Sequence, residues 1–180
     1  MRLFVSIPVN ITEVRTLLKS IQNKVNGYPQ EYMKLHITLA FIPNISNEPM
    51  STLIKMLGNY INPRPPVLIS ADSTIELWGN DLVLPVTPCE HLLNLRTDIC
   101  NLLSALNIDW DDSNPYVPHI TLVKKQEGPV SVETEPFTFN SRKISVVKST
   151  LTLDGSVYEV LADFNFTNEV LSPTQGYSRS

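Results

Sequence analysis

The chain contains three histidines, and two of them open the same tetrapeptide, His36-Ile37-Thr38-Leu39 and His119-Ile120-Thr121-Leu122. In an extended strand side chains alternate between faces, so His36 and Thr38 point one way while Ile37 and Leu39 point the other, and the second copy repeats this. Each tetrapeptide therefore offers an imidazole and a hydroxyl over an apolar back. Imidazole titrates near neutral pH and serves as base or acid, and hydroxyls can bind phosphoryl oxygens. Two such strands facing one cleft would supply what in-line cleavage of a phosphodiester needs. A single His-x-Thr more often marks a half-buried histidine with a satisfied hydrogen bond; the identical repetition is what favours a shared site. A zinc site fits less well, because histidines on separate strands would need a third ligand and no Asp, Glu or Cys recurs with either copy. No metal is expected.

Other residues near the motifs have two readings each. Lys34 precedes His36 by two, so strand alternation would put it on the same face and raise the local positive potential; a solvated strand-edge lysine is the alternative. Tyr32 and Tyr116 flank the motifs and could stack on a base, although packing in the core or at the rim is the commoner role. In a regular strand Lys125 would share the His119 face, and Lys124 would do so only if the strand bulges. His91 reads as structural, at the flank of a helical apolar stripe.

The elements that must position these groups can be read from periodicity. Residues 2–8 read as a first strand. Asn10 with Glu13 three residues on resembles a helix start, followed by Val14, Leu17, Leu18, Ile21 and Val25 at helical spacing, with Gly27 and Pro29 as the stop. Residues 32–42 read as one strand ending at Pro43, and 49–61 as a helix with Leu53, Ile54, Leu57 and Ile61 on one face despite the interior Gly58. The runs 67–77 and 82–86 suggest a hairpin turning at Gly79-Asn80-Asp81. The clearest helix is 89–106, where Leu92, Leu95, Ile99, Leu102, Leu103 and Leu106 form one stripe. An acidic, proline-bounded loop over 107–118 leads to a strand at 119–125. Segments 144–153 and 156–166 should pair across Asp154-Gly155, and 167–180 reads as a flexible tail. Strands, helices and hairpins mix without regular alternation, so the expected class is α+β with mainly antiparallel pairing.

Composition narrows the setting. With 180 residues and 42% apolar content the chain can build one substantial core. Charges or prolines interrupt every hydrophobic run, so no membrane span is expected, and the opening residues read as a strand and not as a secretory signal, which points to a cytoplasmic protein. The net charge of −4 argues against a broad basic surface for long nucleic acid, so a polyanionic ligand should be short or locally held. Cys89 and Cys100 lack the number and spacing of a disulfide framework or metal motif and read as ordinary thiols. The fourteen prolines stand mostly at segment edges.

The paired His-x-Thr-x motifs resemble those of the 2H phosphoesterase superfamily, and within it the RNA 2′,3′-cyclic phosphodiesterases also described as 2′-5′ RNA ligases. The likeness covers Met1 to about Phe166. It rests on Arg2-Leu3-Phe4-Val5-Ser6-Ile7, Leu35-His36-Ile37-Thr38-Leu39-Ala40-Phe41, Pro118-His119-Ile120-Thr121-Leu122 and the hairpin from Ser149 to Tyr158. The resemblance implies a bilobal α+β fold with pseudo-two-fold symmetry and helices outside, over 1–166 as a single domain of two similar lobes. It implies that His36 and His119 act as acid and base, that Thr38 and Thr121 hold the phosphate, and that no cofactor is required. The implied ligand is a short RNA or nucleotide bearing a 2′,3′-cyclic phosphate or a 2′-5′ linkage; a monomer is expected, although nothing in the sequence itself specifies the oligomeric state. Similar proteins often carry arginine where Lys124 stands; lysine keeps the charge and loses the bidentate fork. Pro43-Asn44 replaces a glycine found in similar proteins after the first motif.

The leading expectation is hydrolysis of a terminal RNA 2′,3′-cyclic phosphate, with 2′-5′ joining as the reverse reaction. Cleavage of 2′,5′-linked oligoadenylates would use the same residues. A non-catalytic RNA-end or nucleotide-binding module would have no chemical need for paired imidazoles, and a protein-interaction domain would be supported only by the negative charge and the tail.

Overall fold

Branched and aromatic residues make both His-Ile-Thr-Leu segments strands, and a sheet has to pass through both copies. The computed structural model describes residues 1–166, so the expected tail at 167–180 lies outside the described residues. In chain order the strands are β1 (Arg2–Pro8), β2 (Tyr28–Pro29), β3 (His36–Ile42), β4 (Val67–Ala71), β5 (Glu76–Trp78), β6 (Asp81–Pro85), β7 (His119–Lys124), β8 (Phe137–Ser141), β9 (Lys143–Thr152) and β10 (Gly155–Asn165). The helices are α1 (Thr12–Ile21), α2 (Asn47–Ile61) and α3 (Glu90–Ala105), with a 3₁₀ turn at Tyr32–Lys34.

Eight strands form one antiparallel sheet in the order β10-β9-β1-β3-β7-β6-β5, with β2 added along β7; β4 and β8 form a separate pair. The two motif strands meet at its centre, joined at Ile37 and Ile120. That register sets His36 level with Thr121 and Thr38 level with His119. The sheet thus has two lobes about a pseudo-two-fold axis, β10-β9-β1-β3 on one side and β7-β6-β5 on the other.

The symmetry extends to an irregularity. Ser6 pairs with Thr38 and Val5 with Ala40, so Leu39 is an extra residue in β3. Likewise Val83 pairs with Thr121 and Leu82 with Val123, leaving Leu122 extra in β7. Each motif ends in a β-bulge, which puts two successive residues on the buried face and returns the next one to the open face. Burial follows suit: Leu39 and Ala40 are both buried, as are Leu122 and Val123. Phe41 and Lys124 therefore come back to the side of His36 and His119.

Beneath that face lies a continuous core that takes in Ile37, Leu39, Ile120, Leu122 and the apolar stripes of all three helices. In α3 the buried residues are Leu92, Leu95, Ile99, Leu102 and Leu103, the expected stripe without Leu106. No helix among the described residues is long and apolar enough to cross a membrane.

Several expected boundaries are corrected. The α1 helix starts after Ile11 with no side-chain cap, so Asn10 does not cap it, and it ends before Val25. The segment 32–42 is not one strand, because Tyr32–Lys34 coil into a 3₁₀ turn. The run 67–77 splits: β4 pairs with β8, and only β5 forms the hairpin with β6, over Gly79 at φ 61. The strands β2 and β8 are additional to those expected. Gly58 is tolerated inside α2 because the Phe164 ring of β10 packs against it, leaving only 3.1 Å for a Cβ there. The hairpin at Asp154-Gly155 forms as expected, with Gly155 at φ 113.

Candidate active site

Each motif histidine is oriented by the backbone two residues before it. His36 Nδ1 lies 2.7 Å from the Lys34 carbonyl oxygen and His119 Nδ1 2.9 Å from that of Val117. A carbonyl can only accept, so Nδ1 carries the proton in both rings and Nε2 is left as the nitrogen that can take or give one.

The surroundings of the two rings differ. Phe4 stacks on His36 at 4.5 Å between centroids, and Tyr158 meets both rings edge-on, at 5.8 Å from His36 and 5.1 Å from Phe4. Burial holds the His36 pKa below the ordinary histidine value; the hydrogen bond to the Lys34 carbonyl opposes this, and the charges of Lys124 and His119 add to it. His119 has the tilted ring of Trp78 at 4.9 Å.

His36, His119, Thr38, Thr121, Lys34 and Lys124 all line one open cleft of about 250 Å³. Lys34 reaches it although strand alternation does not apply to a 3₁₀ turn: its Nζ donates to the Ser156 carbonyl at 2.8 Å, lies 5.4 Å from the Tyr158 ring and 3.7 Å from a Glu31 carboxylate oxygen. Lys124 faces the cleft because of the Leu122 bulge, 3.7 Å from an Asp81 oxygen. Lys125 turns away at φ 55, with its ammonium 5.8 Å from the Tyr28 ring.

Tyr116 is not a cleft residue. Its hydroxyl donates to the Thr38 carbonyl at 2.9 Å, its ring lies under the Arg96 guanidinium at 4.4 Å, and burial pushes its phenol pKa up. Tyr32 likewise packs on the core with Arg15 over its ring, and His91 is exposed on α3. The cleft also contains Arg2, Phe4, Phe41, Asp81 and Tyr158, none of which was assigned a role from the sequence. Arg2 and Phe4 alternate along β1, and that period-two pattern was the available signal. Among the described residues no three His, Cys, Asp or Glu side chains gather as a metal site would require.

Two imidazoles with free Nε2 atoms, two hydroxyls and two lysines around one cleft can bind an oxyanion and move protons on either side of it. Solved structures share this bilobal antiparallel fold over nearly the whole chain. A structure described as a phosphoesterase superposes with TM-score 0.77 at 20% identity, over 93% of this chain and 98% of its own. Escherichia coli LigT complexed with 3′-AMP gives 0.76 at 19% identity over 93% and 98%. The protein TT0787 of Thermus thermophilus gives 0.67 at 26% identity over 94% and 100%. No family model matches the sequence, and a search of curated proteins finds no match.

Proposed function

We propose that the chain is a metal-independent phosphodiesterase of the 2H kind, hydrolysing an RNA terminal 2′,3′-cyclic phosphate, with reversible 2′-5′ joining when a 5′-hydroxyl replaces the attacking water. The observation that carries this is the matched pair of histidines, each with Nδ1 engaged by the carbonyl two residues back and Nε2 left for chemistry. Residues 1–166 act as one unit in this reading, because each lobe supplies half of the site. The likeness in fold to LigT, solved with 3′-AMP, supports a ligand of nucleotide size.

The lowered His36 pKa suits the base, neutral before reaction. In the hydrolytic direction His36 Nε2 takes a proton from water and the water oxygen bonds to phosphorus. The bond from phosphorus to one ribose oxygen breaks, and His119 Nε2 gives its proton to that oxygen. Water is thereby added across one P–O bond, leaving a ribose monophosphate, and proton exchange with solvent resets both rings. Thr38 and Thr121 hydroxyls and the Lys124 ammonium hold the phosphoryl oxygens as charge gathers on them. In joining, a 5′-hydroxyl takes the place of water and the two histidines keep these roles; they exchange them only when a 2′-5′ linkage is cleaved back to the cyclic phosphate.

The test is to incubate the protein in EDTA with a nucleoside 2′,3′-cyclic phosphate and, separately, with a 2′,5′-linked dinucleotide, and to identify products. Conversion of the cyclic phosphate to a monoester is expected. Turnover of the dinucleotide alone would assign the oligoadenylate reaction instead, and complete loss in EDTA with recovery on adding zinc would contradict the mechanism.

A further inference from the structure

The chemistry above leaves two cations of the cleft, Lys34 and Arg2, unused. The pseudo-two-fold axis relates His36 to His119, Thr38 to Thr121 and, past the bulge, Phe41 to Lys124. One lobe therefore presents an ammonium where the other presents a phenyl ring. Over that ring, however, lies Arg2, its guanidinium carbon 5.3 Å from the centroid. The cleft so has a cation on each side of the histidine and threonine quartet, Lys124 in one lobe and Arg2 in the other.

These cations differ in their partners. Lys124 and Lys34 each have a carboxylate oxygen at 3.7 Å, whereas among the described residues the Arg2 side chain has no ion pair and donates no hydrogen bond. A guanidinium stays charged and presents a planar fork of five N–H donors, and a contact with the Phe41 ring engages its charge without taking any of those donors. Such a group in a cleft is best satisfied by an oxyanion taking two N–H bonds at once. Ser149 stands directly across from Arg2 on β9 and lines the same cleft, adding a hydroxyl. Arg2 is two residues along β1 from Phe4, the ring stacked on His36, a displacement on the order of 7 Å along the strand. A single nucleotide unit can span that.

We propose that Arg2, with Ser149, forms a second anion subsite for the phosphate adjoining the reacting one. The favoured substrate is then an oligonucleotide end or a nucleotide carrying a second phosphate, in preference to a lone nucleoside cyclic phosphate. This rests on the phosphodiesterase reading for its kinetic form.

The experiment compares uridine 2′,3′-cyclic phosphate with its 5′-phosphorylated form as substrates of the wild type, Arg2→Gln and Arg2→Lys. The wild type should prefer the 5′-phosphorylated substrate about 10-fold in kcat/KM, the effect of one charge-assisted contact. That ratio should collapse toward one in Arg2→Gln and be intermediate in Arg2→Lys, which keeps the charge without the fork. Calorimetric binding of uridine 2′-monophosphate and uridine 2′,5′-bisphosphate to the same proteins gives the subsite a readout independent of turnover. Should the wild type cleave neither substrate while still binding the bisphosphate more tightly in an Arg2-dependent way, the catalytic reading fails and the subsite stands. A wild-type ratio near one in both assays, or a ratio unchanged in Arg2→Gln, overturns the proposal. Should Arg2→Gln fail to fold, Arg2→Lys carries the comparison.

Discussion

The Tyr116 hydroxyl donates a 2.9 Å hydrogen bond to the Thr38 carbonyl, tying the loop before the second motif to the strand of the first. The β3 bulge takes Leu39 out of the ladder register, and Arg96 donates to the Leu39 carbonyl at 2.5 Å while its guanidinium covers the Tyr116 ring at 4.4 Å. Val117, the residue after Tyr116, is the one whose carbonyl orients His119. Tyr116→Phe removes the donor, leaves the part-buried Thr38 carbonyl without it, and should cost about 1–3 kcal/mol of stability. Because the Val117 carbonyl loosens with the loop, kcat should fall several-fold at temperatures where the variant is fully folded, with KM little changed. Thermal melting beside kcat and KM checks this; a melting shift with unaltered kcat would limit Tyr116 to stability.

Gly27 sets the end of β7. A Cβ there would overlap the Lys124 carbonyl oxygen, with the Gln126 nitrogen and a Val123 methyl at 2.9 Å, and two of those three are backbone atoms. The Gln126 amide oxygen also accepts from the Asn26 and Gly27 N–H groups, at 3.0 and 2.9 Å, fixing the approach. Gly27→Ala should destabilise by roughly 1–3 kcal/mol, as overpacking does. It should also weaken substrate binding through displacement of Lys124, read as a raised KM. An unchanged KM would uncouple Gly27 from the lysine.

His36 is held below the ordinary histidine pKa near 6.5 chiefly by burial. As the base it must be neutral, so kcat/KM should rise with pH through the His36 pKa, with the acid limb below pH 6.5. Lys124→Gln removes a positive charge that lowers this pKa, so the limb should move to higher pH. Stability follows the same sign: the unfolded chain takes the proton more readily, so the contribution of a neutral His36 is present above about pH 6.5 and is lost as pH falls through its folded value. A pH profile of kcat/KM for both proteins decides it, and a limb unmoved or shifted downward in Lys124→Gln would contradict the assignment.

The paired motifs, the α+β class and the Asp154-Gly155 hairpin were legible in the sequence because each rests on local pattern: a repeated tetrapeptide, alternation, and a two-residue turn. Lys124 required more. Its facing depends on the Leu122 bulge, and an extra residue in one strand is defined only against a partner strand, here β6. Tyr116 misled for a related reason, since an aromatic beside a motif looks the same whether its hydroxyl meets a ligand or a carbonyl 78 residues away. For Arg2 the alternation with Phe4 signals only a shared face, because its place over Phe41 follows from β1 pairing with β3.

The central claim is that two imidazoles act on one phosphate, and the direct measurement is kcat with the dissociation constant for the wild type, His36→Ala, His119→Ala and the double variant on one nucleoside 2′,3′-cyclic phosphate. Each single substitution should lower kcat by about 10²-fold or more, the usual contribution of a positioned acid or base, with far smaller effects on binding. The double variant should fall well short of the product of the two single losses, as residues that work as a unit do. Near-wild-type kcat in either single variant would contradict the two-histidine mechanism and return that histidine to a structural role.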